Sequence, residues 1–155
     1  TAALGSTVAI SIDDTTAGTA AVTYTVTGTG AAQTVNVNLS TLTDGQTVTA
    51  TVTATNVGGT STSVTDTAVL DKTAPAAVSS PTPTTTGFSA AGLEVGATVK
   101  VVADGAASTS TALATEVVPV GGSVTVTGLT GATAYDVYVI DTAGNVSAKV
   151  DITTL

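Results

Sequence analysis

The side chains in this chain that could do chemistry are almost all carboxylates. Lys and Arg together number 3, against 11 Asp and Glu, and His and Cys are absent. Three acids occupy informative positions: Asp71 lies in a Pro-containing joint, Glu94 in a turn and Asp141 in a Gly-containing hairpin. Carboxylates without counter-charges suit a divalent cation, and calcium takes oxygen ligands of this kind.

The residue types that are missing exclude most catalytic chemistry. Without His, Cys or Arg, the Ser-His-Asp and Cys-His mechanisms are excluded, as is a typical zinc site. A glycosidase would need aromatic sugar platforms, which 3 Tyr and 1 Phe do not provide. Gly28-Thr29-Gly30 follows a strand pattern with no helix behind it, so we interpret it as a turn. We expect no enzyme and no small-molecule substrate.

Charge and length narrow the class of protein further. A net charge of -8 argues against nucleic acid or an anionic membrane surface as partner. The sequence shows no signal peptide and no apolar run near the roughly 20 residues of a membrane helix. Its ends are those expected of a mature subunit or of a segment cut from a longer protein. With 155 residues, the chain has room for two small domains.

Alternating Thr and Val predict strands along nearly the whole chain. Hydrophobic residues make up 43% but aromatic residues only 3%, so any core is thin and built from small side chains. Period-2 alternation between turn signals is typical of antiparallel sandwiches, and we find no helix. We expect strands over residues 6–12, 21–27, 34–39, 46–55, 60–70, 84–91, 97–103, 123–127, 135–140 and 146–153. Residues 79–83 suit an edge strand or an extended lead-in, and residues 106–118 an irregular segment or a weak edge.

The two halves of the chain repeat one another loosely. Each contains a turn with a leucine (Leu42 or Leu129), a long alternating strand, a Gly-rich hairpin and a last strand. We therefore predict an all-β fold of two tandem antiparallel Ig-like β-sandwich modules. Module 1 is expected at residues 1–71, a linker at 72–75, and a fibronectin III-like module 2 at 76–155.

In a seven-strand sandwich of this kind, two of the turns lie at the end where the chain enters. The turn of Glu94 and the hairpin of Asp141 are then expected beside Asp71, and three converging acids favour calcium. Asp13 and Asp14, in a predicted turn of module 1, are further candidate ligands. Acids in β-turns more often hydrogen-bond only their own backbone. That alternative applies above all to Asp13 and Asp14, and also to Asp44 and Asp104.

Four short motifs resemble those of a known family. Residues 70–75 (Leu-Asp-Lys-Thr-Ala-Pro) resemble the L-D-x-T-A-P joint between bacterial Ig-like repeats of large surface adhesins. Residues 141–147 are similar to their D-x-A-G-N-x-S hairpin, and residues 93–99 to their E-x-G-A-x-V turn. Residues 129–139 resemble the fibronectin type III pattern, with Tyr135 at the tyrosine-corner position.

The resemblance is to the tandem bacterial Ig-like, fibronectin III-like repeats of RTX-type or surface-layer-type adhesins. It implies an extracellular, non-catalytic segment at a bacterial cell surface, with calcium bound between modules. The family's ligands are the linker Asp, the turn Glu and the hairpin Asp, here Asp71, Glu94 and Asp141. Asn145 is expected to hydrogen-bond inside its own hairpin. Module 1 departs from the pattern, because Asn56 stands where the family has Asp.

Two functions remain open from the sequence. The first is a structural extender of a cell-surface adhesin, whose partners are neighbouring Ig-like repeats and whose joint is made rigid by calcium. The second is a self-assembling subunit of an extracellular filament or surface layer, joined to identical subunits by β-strand pairing or exchange. Strands rich in Thr and Val and poor in Lys lack the usual edge protection, and module 1 looks short enough to borrow a strand.

Overall fold

Strands and the turns between them account for the whole fold, as the alternation predicts. The structure is a computed structural model that describes all 155 residues, and the predicted all-β class is confirmed. The chain divides into two units, Thr1–Asp71 and Lys72–Leu155, here called unit 1 and unit 2. It forms no helix long and apolar enough to span a membrane.

Unit 1 is built on one antiparallel sheet. Its strands are β1 (Thr7–Asp14), β2 (Val22–Thr27), β3 (Thr47–Asn56), β4 (Gly59–Thr60) and β5 (Val64–Val69). The order is β2-β1-β3-β4, and β5 also pairs with β3. Thr and Val alternate along β3, so one face of this central strand is apolar and the other polar.

Unit 2 is a two-layer antiparallel sandwich. Its strands are β6 (Thr82–Thr84), β7 (Gly87–Ala90), β8 (Thr98–Ala103), β9 (Ala114–Val117), β10 (Val124–Val126), β11 (Ala134–Ile140) and β12 (Val150–Thr153). One sheet has the order β10-β7-β6 and the other β12-β11-β8-β9. The core lies between them, with Phe88 and Val126 of the first sheet packed with Val99, Val137 and Val139 of the second.

The sheet of unit 1 corresponds strand for strand to the four-stranded sheet of unit 2. In unit 1, β1 pairs with β2 and β3, and β3 pairs with β5. In unit 2, β8 pairs with β9 and β11, and β11 pairs with β12. The leucine turns agree, since Leu42 and Leu129 are both buried and each lies five residues before the central strand of its sheet.

The strand predicted at residues 34–39 is not formed. The corresponding segment of unit 2 is β10, which pairs with β7. Unit 1 has no strand in the place of β7, so the backbone of residues 34–39 finds no ladder to join. The strand predicted at 60–70 is divided into β4 and β5, and that at 146–153 is shortened to β12.

One face of the unit 1 sheet is consequently covered only in part. A small core of Ile12, Leu42 and Val48 is packed by residues of the 37–42 segment at one end. At the other end lies an open hollow of about 1030 Å³. Its lining is largely apolar and includes Val8, Val26, Val35, Val52, Ala54 and Val64.

Candidate functional site

Asp71 is the last residue of unit 1 and is exposed. The chain reaches it through Leu70, whose carbonyl accepts a hydrogen bond from the Gly45 amide at 2.8 Å and whose amide donates to the Gln46 carbonyl at 2.9 Å. These bonds tie the end of the unit to the turn that precedes β3. At Asp71 the chain therefore leaves unit 1 at the end of the sheet where that turn lies.

Asp13 and Asp14 are at the same end of unit 1, but they do not form a turn. They are the last two residues of β1, opposite Thr49 and Val48 of β3. The prediction that the strand ends at residue 12 is wrong. It relied on the low preference of Asp for strands, whereas pairing with the long β3 keeps both residues extended. Asp13 is exposed and Asp14 is half-buried.

The Asp14 carboxylate is used to hold the loops beside it. Its Oδ2 accepts from the Thr43 amide at 2.6 Å, and its Oδ1 accepts from the Thr16 amide at 2.8 Å. The hydrogen bond from Thr43, with that from Thr16, outweighs the effect of burial and lowers the pKa of Asp14. The side chain thus hydrogen-bonds the backbone of neighbouring loops, which is the predicted alternative to cation binding.

Asp141 closes the hairpin that follows β11 and is 7% exposed. Its two carboxylate oxygens accept from the Asn145 backbone amide at 2.8 Å and from Asn145 Nδ2 at 2.9 Å. Asn145 therefore hydrogen-bonds within its own hairpin, as predicted. Burial raises the pKa of Asp141, but these bonds, together with the amides of Gly144 and Ala143, leave the pKa below its ordinary value.

Glu94 is exposed in the turn before β8, and its carbonyl accepts from the Ala97 amide at 3.2 Å. This turn adjoins the Asp141 hairpin: a Cβ built on Gly96 would lie 3.6 Å from Cγ2 of Thr142. The strand register also places the turn beside the hairpin, because Thr98 at the start of β8 is opposite Ile140 at the end of β11. The structure thus brings the two predicted acidic turns of unit 2 to one end.

The chain also enters the sandwich of unit 2 from that end. β6 runs antiparallel to β7 with Thr82 opposite Ser89, so the residues before Thr82 approach from the side where β7 finishes. The Glu94 turn follows β7 directly. Each unit therefore carries acids at the end where residues 71 and 72 join it. Such carboxylates offer the oxygen ligands that calcium requires.

Similarity to a solved structure extends over nearly the whole chain. The crystal structure of the FN1-FN3 domains of chicken CNTN1 matches with a TM-score of 0.54 and 17% sequence identity. The match covers 97% of this chain and 54% of that one, so this chain spans about half its length. No protein-family model and no curated protein matches the chain. The similarity is one of fold, and it confirms the predicted Ig-like, fibronectin III-like β-sandwich class.

The tyrosine corner expected of that class is present in unit 2. The Tyr135 hydroxyl accepts from the Thr130 amide at 2.9 Å and lies 3.3 Å from the Thr130 carbonyl, to which it donates. This bond holds the turn that carries Leu129 against the start of β11. In unit 1 the corresponding position in β3 is Val48, and the corner is absent.

The sequence missed a second group of acids. Asp104, Asp136 and Asp151 offer carboxylate oxygens that all lie within 4.8 Å of one another. The sequence pattern predicts a turn at Asp104 and strands at Asp136 and Asp151, and it gives none of the three a binding role. The signal that was available is the hairpin register, which places Asp136 of β11 opposite Asp151 of β12.

Proposed function

We propose that this chain is a non-catalytic extender segment of a bacterial cell-surface adhesin, extracellular, with a joint made rigid by calcium. The proposed ligands are Asp71, Glu94 and Asp141, and the partners are neighbouring Ig-like repeats. The role needs no active site, only folded units that keep a fixed direction along the protein. A shared ion fixes two units at once, whereas a bare joint of a few residues swivels.

The placement of the acids carries this proposal. Asp71 lies at the end of unit 1 from which the chain leaves, and Glu94 and Asp141 lie together at the end of unit 2 that it enters. The hydrogen bonds from Asn145 hold the Asp141 carboxylate in place and leave lone pairs on both oxygens. Extracellular modules bind calcium at about 10⁻⁴–10⁻³ M, so the joint would respond to the medium.

Small-angle scattering with calcium and with chelator tests the proposal. In calcium, the full chain should show a longer maximum dimension and less flexibility than in chelator, while its circular dichroism spectrum stays unchanged. The variant Asp71→Asn/Glu94→Gln should behave in calcium as the parent does in chelator. Glu116→Gln is the matched control, since Glu116 is an exposed glutamate of β9 in unit 2. A maximum dimension that does not change with calcium would rule out the rigid joint.

The open face of unit 1 favours a second candidate function, assembly into a filament or surface layer by strand exchange. In unit 2 the equivalent sheet is covered by β10, β7 and β6, whereas in unit 1 the hollow of about 1030 Å³ remains. An added strand from another copy would bury the apolar lining and give its backbone a ladder. The exposed edge strand β5 carries Val64 at the rim of the hollow.

Size-exclusion chromatography separates the two candidates. A chain that remains monomeric at high concentration favours the extender, and spontaneous polymers favour the filament. If polymers form, Val64→Lys should suppress them, because a lysine on an edge strand opposes pairing. Val117→Lys is the control, since Val117 is similarly exposed, at 64% against 70%, on the edge strand β9 of unit 2.

A further inference from the structure

Three carboxylates meet on the outer face of the four-stranded sheet in unit 2. Asp104 follows β8, Asp136 lies in β11 and Asp151 in β12, so the group combines three stretches that are distant in sequence. One oxygen of each lies within 4.8 Å of the others. Two ligands on opposite sides of a calcium ion are separated by about 4.8 Å, twice a bond length of about 2.4 Å. The spacing therefore fits a single ion.

Asp136 is fully buried, and one of its carboxylate oxygens, Oδ2, has no hydrogen-bond partner. Buried polar atoms are nearly always paired, because an unpaired one loses its hydration without compensation. The unpartnered oxygen of buried Asp136, in a group of three carboxylates, therefore indicates that a positively charged ligand is missing.

The segment between β8 and β9, residues 104–113, is hydrogen-bonded to the face of the sheet that carries Asp136. Tyr138, two residues along the same strand and on the same face, donates its hydroxyl to the Ala106 carbonyl at 3.0 Å. Lys100, opposite Tyr138, donates Nζ to the Ser108 carbonyl at 2.6 Å. These two bonds hold the segment across the sheet, and the segment also brings Asp104 to the group.

The charge of the group is only partly balanced. Lys149 Nζ lies 3.1 Å from Asp136 Oδ1 and 2.6 Å from Asp151 Oδ1. Its pKa is raised by the hydrogen bonds to Asp151 and Asp136. One ammonium against three carboxylates leaves two negative charges without a counter-charge. The Lys149 side chain is 41% exposed, so its long stem can turn its ammonium group toward solvent.

We propose that Asp104, Asp136 and Asp151 form a calcium site on the outer face of unit 2, in which the ion takes the place that Lys149 occupies here. The ligands are all carboxylates, which suit a hard cation and not a thiolate- or imidazole-binding metal. Water completes the coordination on the side of the exposed Asp104 and Asp151. The site shares no residue with the joint proposed above and lies within unit 2. Calcium bound there therefore stabilises the fold of unit 2 and does not make the joint rigid.

Unit 1 provides an internal comparison. By the correspondence of β3 with β11 and of β5 with β12, the places of Asp136 and Asp151 are taken by Thr49 and Thr67, which are opposite each other. Threonine hydroxyls are weak calcium ligands and carry no charge. The proposal therefore predicts one such site in the chain, in unit 2 only.

The test is calorimetric titration of the full chain with calcium chloride. The variant Asp71→Asn/Glu94→Gln removes two of the three proposed joint ligands, and one binding event should remain in it. Adding Asp136→Asn to that variant should weaken this event by about tenfold or more, because it removes the buried charge. Adding Lys149→Gln instead should strengthen it by about tenfold, because a competing cation is removed. Asp66→Asn, at an exposed acid of unit 1, should leave it unchanged within about twofold.

Two results would overturn the proposal. One is the loss of all calcium binding in Asp71→Asn/Glu94→Gln, which would assign the whole of the binding to the joint. The other is unchanged calcium affinity in Lys149→Gln, which would show that the ion does not take the place of the lysine. Lys149→Gln keeps the test decisive even if Asp136→Asn fails to fold, which circular dichroism would reveal. Failure of the joint would appear separately, as a scattering profile insensitive to calcium with binding retained.

Discussion

Asp136 and Asp151 face one another across β11 and β12, and the ammonium of Lys149 bridges both carboxylates. Like charges directly opposite in an antiparallel pair destabilise it, so the lysine is needed to keep this hairpin closed when no other cation is present. The hydrogen bond from Lys149 lowers the pKa of Asp151. The edge of unit 2 is thus held by an ion pair with a buried member.

Replacing Lys149 by glutamine should destabilise unit 2 in chelator. The change leaves buried Asp136 without its ionic partner, and breaking a buried pair from one side costs more than the pair contributes. We expect the melting temperature of unit 2 to fall by about 5 °C or more in calorimetry. Lys100→Gln is the control, because it removes one hydrogen bond to a carbonyl and no ion pair, and its effect should be smaller. Equal effects of the two variants would contradict the role of the ion pair.

Removing the hydroxyl of the tyrosine corner should lower the stability of unit 2 alone. Tyr135→Phe keeps the buried ring but loses both hydrogen bonds to the backbone of Thr130. The expected loss in the free energy of unfolding is about 1–2 kcal/mol, measured by urea denaturation. Tyr24→Phe in unit 1 breaks only an exposed bond to the Asn38 amide, so its effect should be within about 0.5 kcal/mol. A neutral Tyr135→Phe would show that the corner is not stabilising.

The sequence predicted the strands best where alternation was strict and turn signals were clear. β3 follows directly from Thr at every second position, and β8 from the alternation of polar Thr98 and Lys100 with Val99 and Val101. The repeated leucines place Leu42 and Leu129 correctly in the two cores. The pattern fails at residues 34–39 because alternation reports which face a strand would present, not whether a neighbouring strand exists. That depends on β7, which unit 2 has and unit 1 lacks.

The difference between local pattern and distant contacts also explains which site residues could be predicted from the sequence. Asp141 and Glu94 were placed correctly in turns because short motifs fix local backbone. Asp136 was missed because an acid on the outward face of a strand is expected to be exposed. On the same face, a ten-residue segment, 104–113, crosses the sheet through bonds from Tyr138 and Lys100. No periodicity in the sequence reports such a covering segment.

Acid should weaken unit 1 through Asp14. Its pKa is lowered in the folded state, so ionised Asp14 contributes stability above the ordinary aspartate pKa of about 3.9. That contribution is lost as the pH falls through the folded value. Asp14→Asn should therefore be less stable than the parent at pH 7 and should lose less further stability by pH 3, as measured by urea denaturation at each pH. Asp13→Asn, at the exposed neighbour, should keep the pH dependence of the parent; if both variants flatten it equally, the carboxylate of Asp14 is not responsible.

Unit 1 should unfold before unit 2. Its core cluster has three buried residues, including Leu42, whereas that of unit 2 has 15, including Leu129. A buried Leu→Ala change costs about 2–5 kcal/mol, which is a large share of the stability of a small domain. Leu42→Ala should therefore unfold unit 1 at 25 °C and leave unit 2 folded.

Leu129→Ala, the same change at the corresponding place in unit 2, is the matched control and should destabilise unit 2 without unfolding it. Hydrogen exchange followed by mass spectrometry reads the two units separately. Rapid exchange throughout β1 and β3 in Leu42→Ala, with β8 and β11 still protected, is the expected pattern. Protection retained in β1 and β3 would mean that the hollow face of unit 1 is covered in solution, as strand exchange between copies would require.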